Sequence, residues 1–194
     1  FVTPIQLDLS GSVSADSFAD LTKIVENNQV AFGNQYTWSS YNPTTRKVVY
    51  TQKADKLTIM DGSSQIIFTI NANDQVVSYE QTYAGSVQVL GKERELITAQ
   101  KAVEILYLAG RISSKATVQS VKLSYYQSLV LKDFSIYSPA WYIEIRQSDG
   151  QLIARRVDAI HGTVLANETL ETTNTQTQRT TTNNTTTTQS VQQQ

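Results

Sequence analysis

The chain has 194 residues, a formal net charge of -1, 40% hydrophobic and 17% charged residues, and no cysteine. That length allows one domain or two small ones, with enough apolar surface for a core. Lysine and arginine (16) do not outnumber aspartate and glutamate (17), so the basic stripe that nucleic acid demands is missing. Without cysteine there is no disulfide framework, thiolate zinc site or cysteine nucleophile.

The chain opens on Phe1 rather than Met, and no run approaches the ~20 apolar residues needed to cross a bilayer, so any membrane anchor is expected upstream of Phe1. A short strand is expected at Ile5–Leu9, then a helix from about Ser14 to Asn28. Ser14 suits the N-cap, Val13 and Phe18 suit a hydrophobic staple, and Phe18, Leu21 and Val25 repeat on one helical face. Strands follow at Tyr36–Tyr41, Lys47–Thr51, Lys56–Met60, Gln65–Ile70 and Val76–Tyr83, separated by turn signals at Asn42-Pro43, Asp61-Gly62 and Asn71-Ala72-Asn73-Asp74. Ile66, Phe68 and Ile70 alternate with Ile67 and Thr69, as a sheet with one buried face requires.

A second helix is expected from Thr98, its cap, to Gly110, with Ala102, Val103, Leu106 and Ala109 as the apolar stripe. Strands then fall at Val118–Tyr126, Val130–Ile136, Ala140–Gln147, Gln151–Asp158 and Thr163–Ala166, with Asp149-Gly150 as a two-residue hairpin turn. The halves echo each other: Phe68-Thr69-Ile70 before Asn73-Asp74 matches Ile143-Glu144-Ile145 before Ser148-Asp149, and Gly85-Ser86-Val87 matches Gly162-Thr163-Val164. The fold class expected is therefore α+β, with two tandem lobes, each one helix packed on an antiparallel sheet. The lobes are assigned to residues 1–90 and 91–171, with the boundary in the charged stretch Gly91–Glu95. Residues 172–194 hold 11 Thr, 6 Gln and 3 Asn and are read as a disordered tail.

Catalytic chemistry finds little support. His161, the only histidine, precedes Gly162 between two strands, where a turn explains it, and no Gly-x-Ser-x-Gly elbow presents a nucleophile to it and Asp158. Asp61, Asp74 and Asp149 lie in turns, and nothing singles out a carboxylate pair for glycoside hydrolysis. Asn71–Gln75 lacks the central Gly and distal Glu of a calcium loop. Three sequons, at Asn167, Asn183 and Asn184, follow from the Asn- and Thr-rich composition. Tyr125, Tyr126, Tyr137, Trp141 and Tyr142 crowd the second half, either as sheet core and cross-strand pairs or as a recognition surface. No catalytic, cofactor-binding or metal-binding residue is assigned, and no cofactor is expected.

Several stretches resemble the YycI family: Val76–Ala84 (VVSYEQTYA), Ile97–Tyr107 (ITAQKAVEILY), Leu123–Tyr126 (LSYY), Ser138–Ile143 (SPAWYI) and Val157–Val164 (VDAIHGTV), the last also similar to the ending of PepSY-type domains. The resemblance covers about residues 1–166. The resemblance implies a protein with one N-terminal transmembrane helix, absent from this chain, and two PepSY-like extracytoplasmic lobes. It implies action together with a YycH-like protein on the WalK (YycG) sensor histidine kinase, which controls cell-wall metabolism in Gram-positive bacteria. It implies no enzymatic activity and leaves room for a homodimer. Two alternatives stand beside it: a PepSY-type module binding a small ligand or a peptidase, and a wall hydrolase.

Overall fold

The computed structural model describes residues 5–10, 13–27 and 29–166. The sequons and the tail expected at 172–194 lie outside them. Strand β1 (Ile5–Gln6) is followed by a 3-10 turn (Ala15–Phe18), α1 (Ala19–Glu26), β2 (Tyr36–Asn42), β3 (Lys47–Ala54), β4 (Leu57–Thr58), β5 (Gln65–Ile70) and β6 (Gln75–Gln81). The second half contributes α2 (Ala99–Leu108), β7 (Thr117–Val130), β8 (Ser135–Arg146) and β9 (Leu152–Asp158). Among the described residues these strands form two antiparallel sheets, one ordered β1-β6-β5-β3-β2 with β4 beside β3, the other β7-β8-β9. The α+β class expected from the sequence is what the chain adopts.

Each sheet buries one face under its own helix. Phe18, Leu21 and Val25, the expected stripe, are fully buried against Val48, Tyr50, Ile66 and Phe68 of the first sheet. Ser14 caps the entry: its hydroxyl accepts from Asp16 N (3.3 Å), while its own N–H donates to Ser17 Oγ (3.2 Å). The single expected helix is instead a 3-10 turn joined to a short α-helix, because Phe18 leaves the helical region at φ -110, ψ 16. Asn27 ends α1, its N–H bonded to Lys23 O.

In the second half Thr98 caps α2 through Lys101 N (3.1 Å). Gly110, at φ 67, closes it by donating to Tyr107 O (3.0 Å), with Arg111 N donating to Leu106 O (2.8 Å). Ala102 and Leu106 are buried on Ile143, Ile145 and Val157. Ala109 does not join this stripe: the helix ends at Leu108, so Ala109 is exposed, and Ile105 packs in its stead.

Other expectations need correction. No separate strand runs from Val130 to Ile136. Leu131 N bonds Phe134 O (2.9 Å) and reverses the chain, so Val130 ends β7 while Ile136 pairs with Leu129 from β8. β8 then runs through Pro139, which offers only its carbonyl, accepting from Ala159 N (2.9 Å). β1 stops at Gln6. The strand expected at Thr163–Ala166 is reduced to a bridge, Val164 with Val157. The Asp149-Gly150 turn is a three-residue loop closed by Gln147 N to Gln151 O (2.8 Å), with Gly150 at φ 86. Its counterpart joins β5 to β6: Asn71 N bonds Gln75 O (2.9 Å), and Asp74 takes the left-handed position at φ 60. The internal echo is thus a repeated hairpin, although the first sheet has gained strands the second lacks.

Candidate functional site

The sheets meet where the end of β4 runs alongside β7. Ile59, fully buried, bridges Tyr125 in parallel, and Met60 N donates to Tyr125 O (3.0 Å). The Asp61 carboxylate then closes the seam. One oxygen accepts from Ser63 N (2.9 Å) and Ser63 Oγ (2.6 Å), fixing the Asp61-Gly62 turn, and the other accepts from the backbone N–H of Gln127 on β7. Tyr137 on β8 stands 3.4 Å from the Ser63 hydroxyl. A turn aspartate therefore also ties one half to the other, a role its neighbours in sequence do not announce. Replacing Asp61 with alanine strands the Gln127 N–H and is expected to cost about 1–3 kcal/mol. The two tryptophans, Trp38 on β2 and Trp141 on β8, report each half separately in denaturant titrations of variants that keep only one of them. Their transitions are expected to coincide in the parent chain and to diverge in Asp61→Ala; coincidence in both would deny the seam its coupling role.

A second cluster lies where β9 ends. Asp158, nearly buried, accepts from Tyr126 Oη (2.8 Å), Ile160 N (2.8 Å) and His161 N (2.7 Å), with His161 Nδ1 at 3.2 Å. Burial pushes its carboxyl up, but the His161 amide, the Tyr126 hydroxyl, the Ile160 amide and the His161 charge together hold it below its ordinary value of 3.8. Burial first, then the bond to Asp158 and its charge, push the Tyr126 hydroxyl up to about 12. His161 is the turn residue expected: its side chain is 72% exposed, and its ring nitrogen lies beside the Asp158 carboxylate. Gly162, at φ 69, lets the turn approach α2; a Cβ there would stand 3.1 Å from Ile105 Cδ1.

The Asp158 turn also receives the chain arriving from the first half. Ile97 N donates to Ala159 O (2.8 Å), and Trp141 Nε1 donates to Ile97 O (2.9 Å). A carboxylate held below its unfolded value stabilises the fold above that value, and the gain is lost as pH falls through the folded value. The stability difference between the parent and Asp158→Asn is therefore expected to be full above about pH 4 and to shrink in more acid solution. A difference constant with pH in denaturation curves would contradict this.

The departing end of the same connection is held by buried amide chemistry. Gln52 and Ser64 are both buried; Gln52 Nε2 donates to Gly85 O (2.9 Å), Ala84 N donates to Gln52 Oε1 (3.0 Å), and Ser64 Oγ also donates to that oxygen. Nothing in the sequence marks Gln52, which sits in a β-branched run. Asp74 pairs with Arg46, and Asn71 braces its own loop by accepting from Asn73 N (2.9 Å) and Gln75 N (3.0 Å). These side chains are occupied in holding turns rather than arranged around a cation. Of the aromatic group, Tyr142 is buried, and burial, then the charge of Glu144, push its hydroxyl up to about 12 despite Arg156. Tyr125, Tyr126, Tyr137 and Trp141 are half-buried in the sheet, the cross-strand reading. The exposed apolar side chains of this half lie elsewhere: Leu129, Val130, Leu131 and Phe134 at the β7–β8 tip, Tyr107 and Leu108 at the end of α2, and Leu152 on β9. Two depressions, one beside Val77 and Tyr79 and one beside Asp8 and Asp16, are open and border the first half, away from the seam.

These features define an α+β protein of two hydrogen-bonded sheet units, whose polar side chains brace turns and junctions. A family model described as YycI protein matches residues 1–160, and the chain belongs to the YycI family. That family comprises membrane-associated regulators of the YycG/WalK kinase system. No helix among the described residues is long and apolar enough to cross a membrane. No curated protein gives a significant match.

Proposed function

We propose that this chain is the extracytoplasmic part of a single-pass, membrane-anchored regulator that acts with a YycH-like protein on the WalK (YycG) sensor histidine kinase, by contact rather than catalysis. The match over residues 1–160 carries the reading. It is supported by polar groups that serve turns and seams, and by the exposed apolar tip of the β7–β8 hairpin. Residues 1–90 and 91–171 would form its two lobes, of PepSY-like type, each with its own buried cluster.

Free partners give up translational and rotational freedom on binding, whereas anchoring both in one membrane raises their effective concentration. Contact between soluble fragments is therefore expected to be modest. Expressed as a secreted, unanchored protein in a strain lacking the native gene, the chain is expected to leave the kinase's target genes misregulated. Adding an N-terminal membrane helix is expected to restore them. Full restoration without the helix would overturn the anchor-dependent mechanism, and failure of both forms would overturn the regulatory reading.

A further inference from the structure

Two guanidinium groups beside the second core, Arg155 on β9 and Arg111 just after α2, have no counter-ion among the described residues. Arg155 lies on β9 between Ile153 and Val157, opposite Ile143. Ile153, Val157 and Ile143 all belong to the cluster under α2. By the alternation of a strand, the Arg155 side chain leaves from that same covered face. Arg111 follows the end of α2, its amide held by Leu106 O (2.8 Å), and the next residue, Ile112, packs on the same cluster. The end of α2 and the edge strand thus border the same core, and the charge of Arg111 reaches Arg155.

No acid among the described residues neutralises them. Arg155 Nε is buried with no hydrogen-bond partner, and Nη1 has only the neighbouring Ala154 carbonyl (3.0 Å). The acids of the adjoining elements are engaged elsewhere. Glu104 of α2 pairs with Lys101, Glu144 of β8 takes the Ser120 hydroxyl, and Asp149 in the β8–β9 turn takes Gln151 N. Neither arginine forms an ion pair among the described residues. Burial, then the charge of Arg111, lower the pKa of Arg155. A buried donor left unpaired is costly, and two like charges drawn together add repulsion. An oxyanion relieves both, because a guanidinium presents a planar fork that matches carboxylate and phosphate oxygens.

We propose that Arg111 and Arg155 form a binding site for an oxyanion, a phosphate or carboxylate group carried by a ligand or partner. The proposal is independent of the kinase reading. The test is thermal denaturation of the whole chain titrated with inorganic phosphate, with acetate, and with sodium chloride at matched ionic strength. A saturable rise in Tm with phosphate or acetate, absent with chloride, is expected, and the anion giving the stronger response identifies the preferred group. Arg111→Gln changes an exposed side chain and is expected to weaken the response about tenfold. Arg155→Met removes the unpaired donor, so its Tm without added anion is expected to equal or exceed that of the parent, and its anion response to vanish. An unsaturable response matched by chloride, or one unchanged in both variants, would overturn the site. So would a large loss of stability in Arg155→Met, since it would show that the guanidinium is already satisfied within the fold.

Discussion

Replacing Phe18 with alanine is expected to cost about 3–5 kcal/mol, among the largest losses any single truncation in this chain should cause. Phe18 is fully buried at the point where the 3-10 turn becomes α1. Its ring lies 5.3 Å from that of Tyr41 and 6.3 Å from that of Trp38, both of β2. Truncation therefore removes the transfer energy of a buried aromatic, leaves a cavity between helix and sheet, and dissolves two ring contacts. Urea denaturation followed by Trp38 fluorescence measures the loss. A cost below about 1 kcal/mol would mean that helix and sheet close over the gap, contrary to a tightly packed first core.

Gly33→Ala is expected to cost about 3 kcal/mol or more, although it adds one methyl group. A Cβ on Gly33 would stand 2.0 Å from the carbonyl oxygen of Val25 and 2.9 Å from its carbon. Both atoms are backbone in the last turn of α1, so no flexible side chain can yield. Relief requires moving either the helix end, whose Val25 is fully buried, or the chain entering β2, whose Tyr36 is almost fully buried. Either shift opens the first core. Thermal melts of Gly33→Ala and Gly33→Ser should show the same large drop, and near-parental stability in both would show that the backbone here gives way cheaply.

Neither position was equally visible beforehand. Phe18 declared itself by its spacing with Leu21 and Val25 behind an N-cap serine. Gly33 did not: its φ is unexceptional, and its need for no side chain arises only because α1 doubles back onto the residues that follow it. The same contrast runs through the candidate site. Asp61, Asp74 and Asp149 were legible as turn residues, and His161 as a turn histidine. That Asp61 reaches Gln127, that Asp158 gathers Tyr126 from another strand, and that Gln52 holds Ala84 and Gly85 were not legible.

The sequence by itself determined what depends on period and on local chemistry. It specified the α+β class, the second helix with its caps, the N-cap and buried stripe of the first, the alternation of Ile66, Phe68 and Ile70, the turns at Asn71–Asp74 and Asp149-Gly150, and the motifs that place the chain in the YycI family. These follow from side-chain spacing and turn preferences acting over a few residues. The tertiary structure alone decided which strands neighbour one another, where β8 runs on through Pro139, how β4 meets β7, and which arginines share a border without a counter-ion. Those outcomes turn on pairings between residues tens of positions apart. Such pairings are chosen by the joint burial of two apolar faces and the satisfaction of buried polar groups, and no local window of sequence contains both partners.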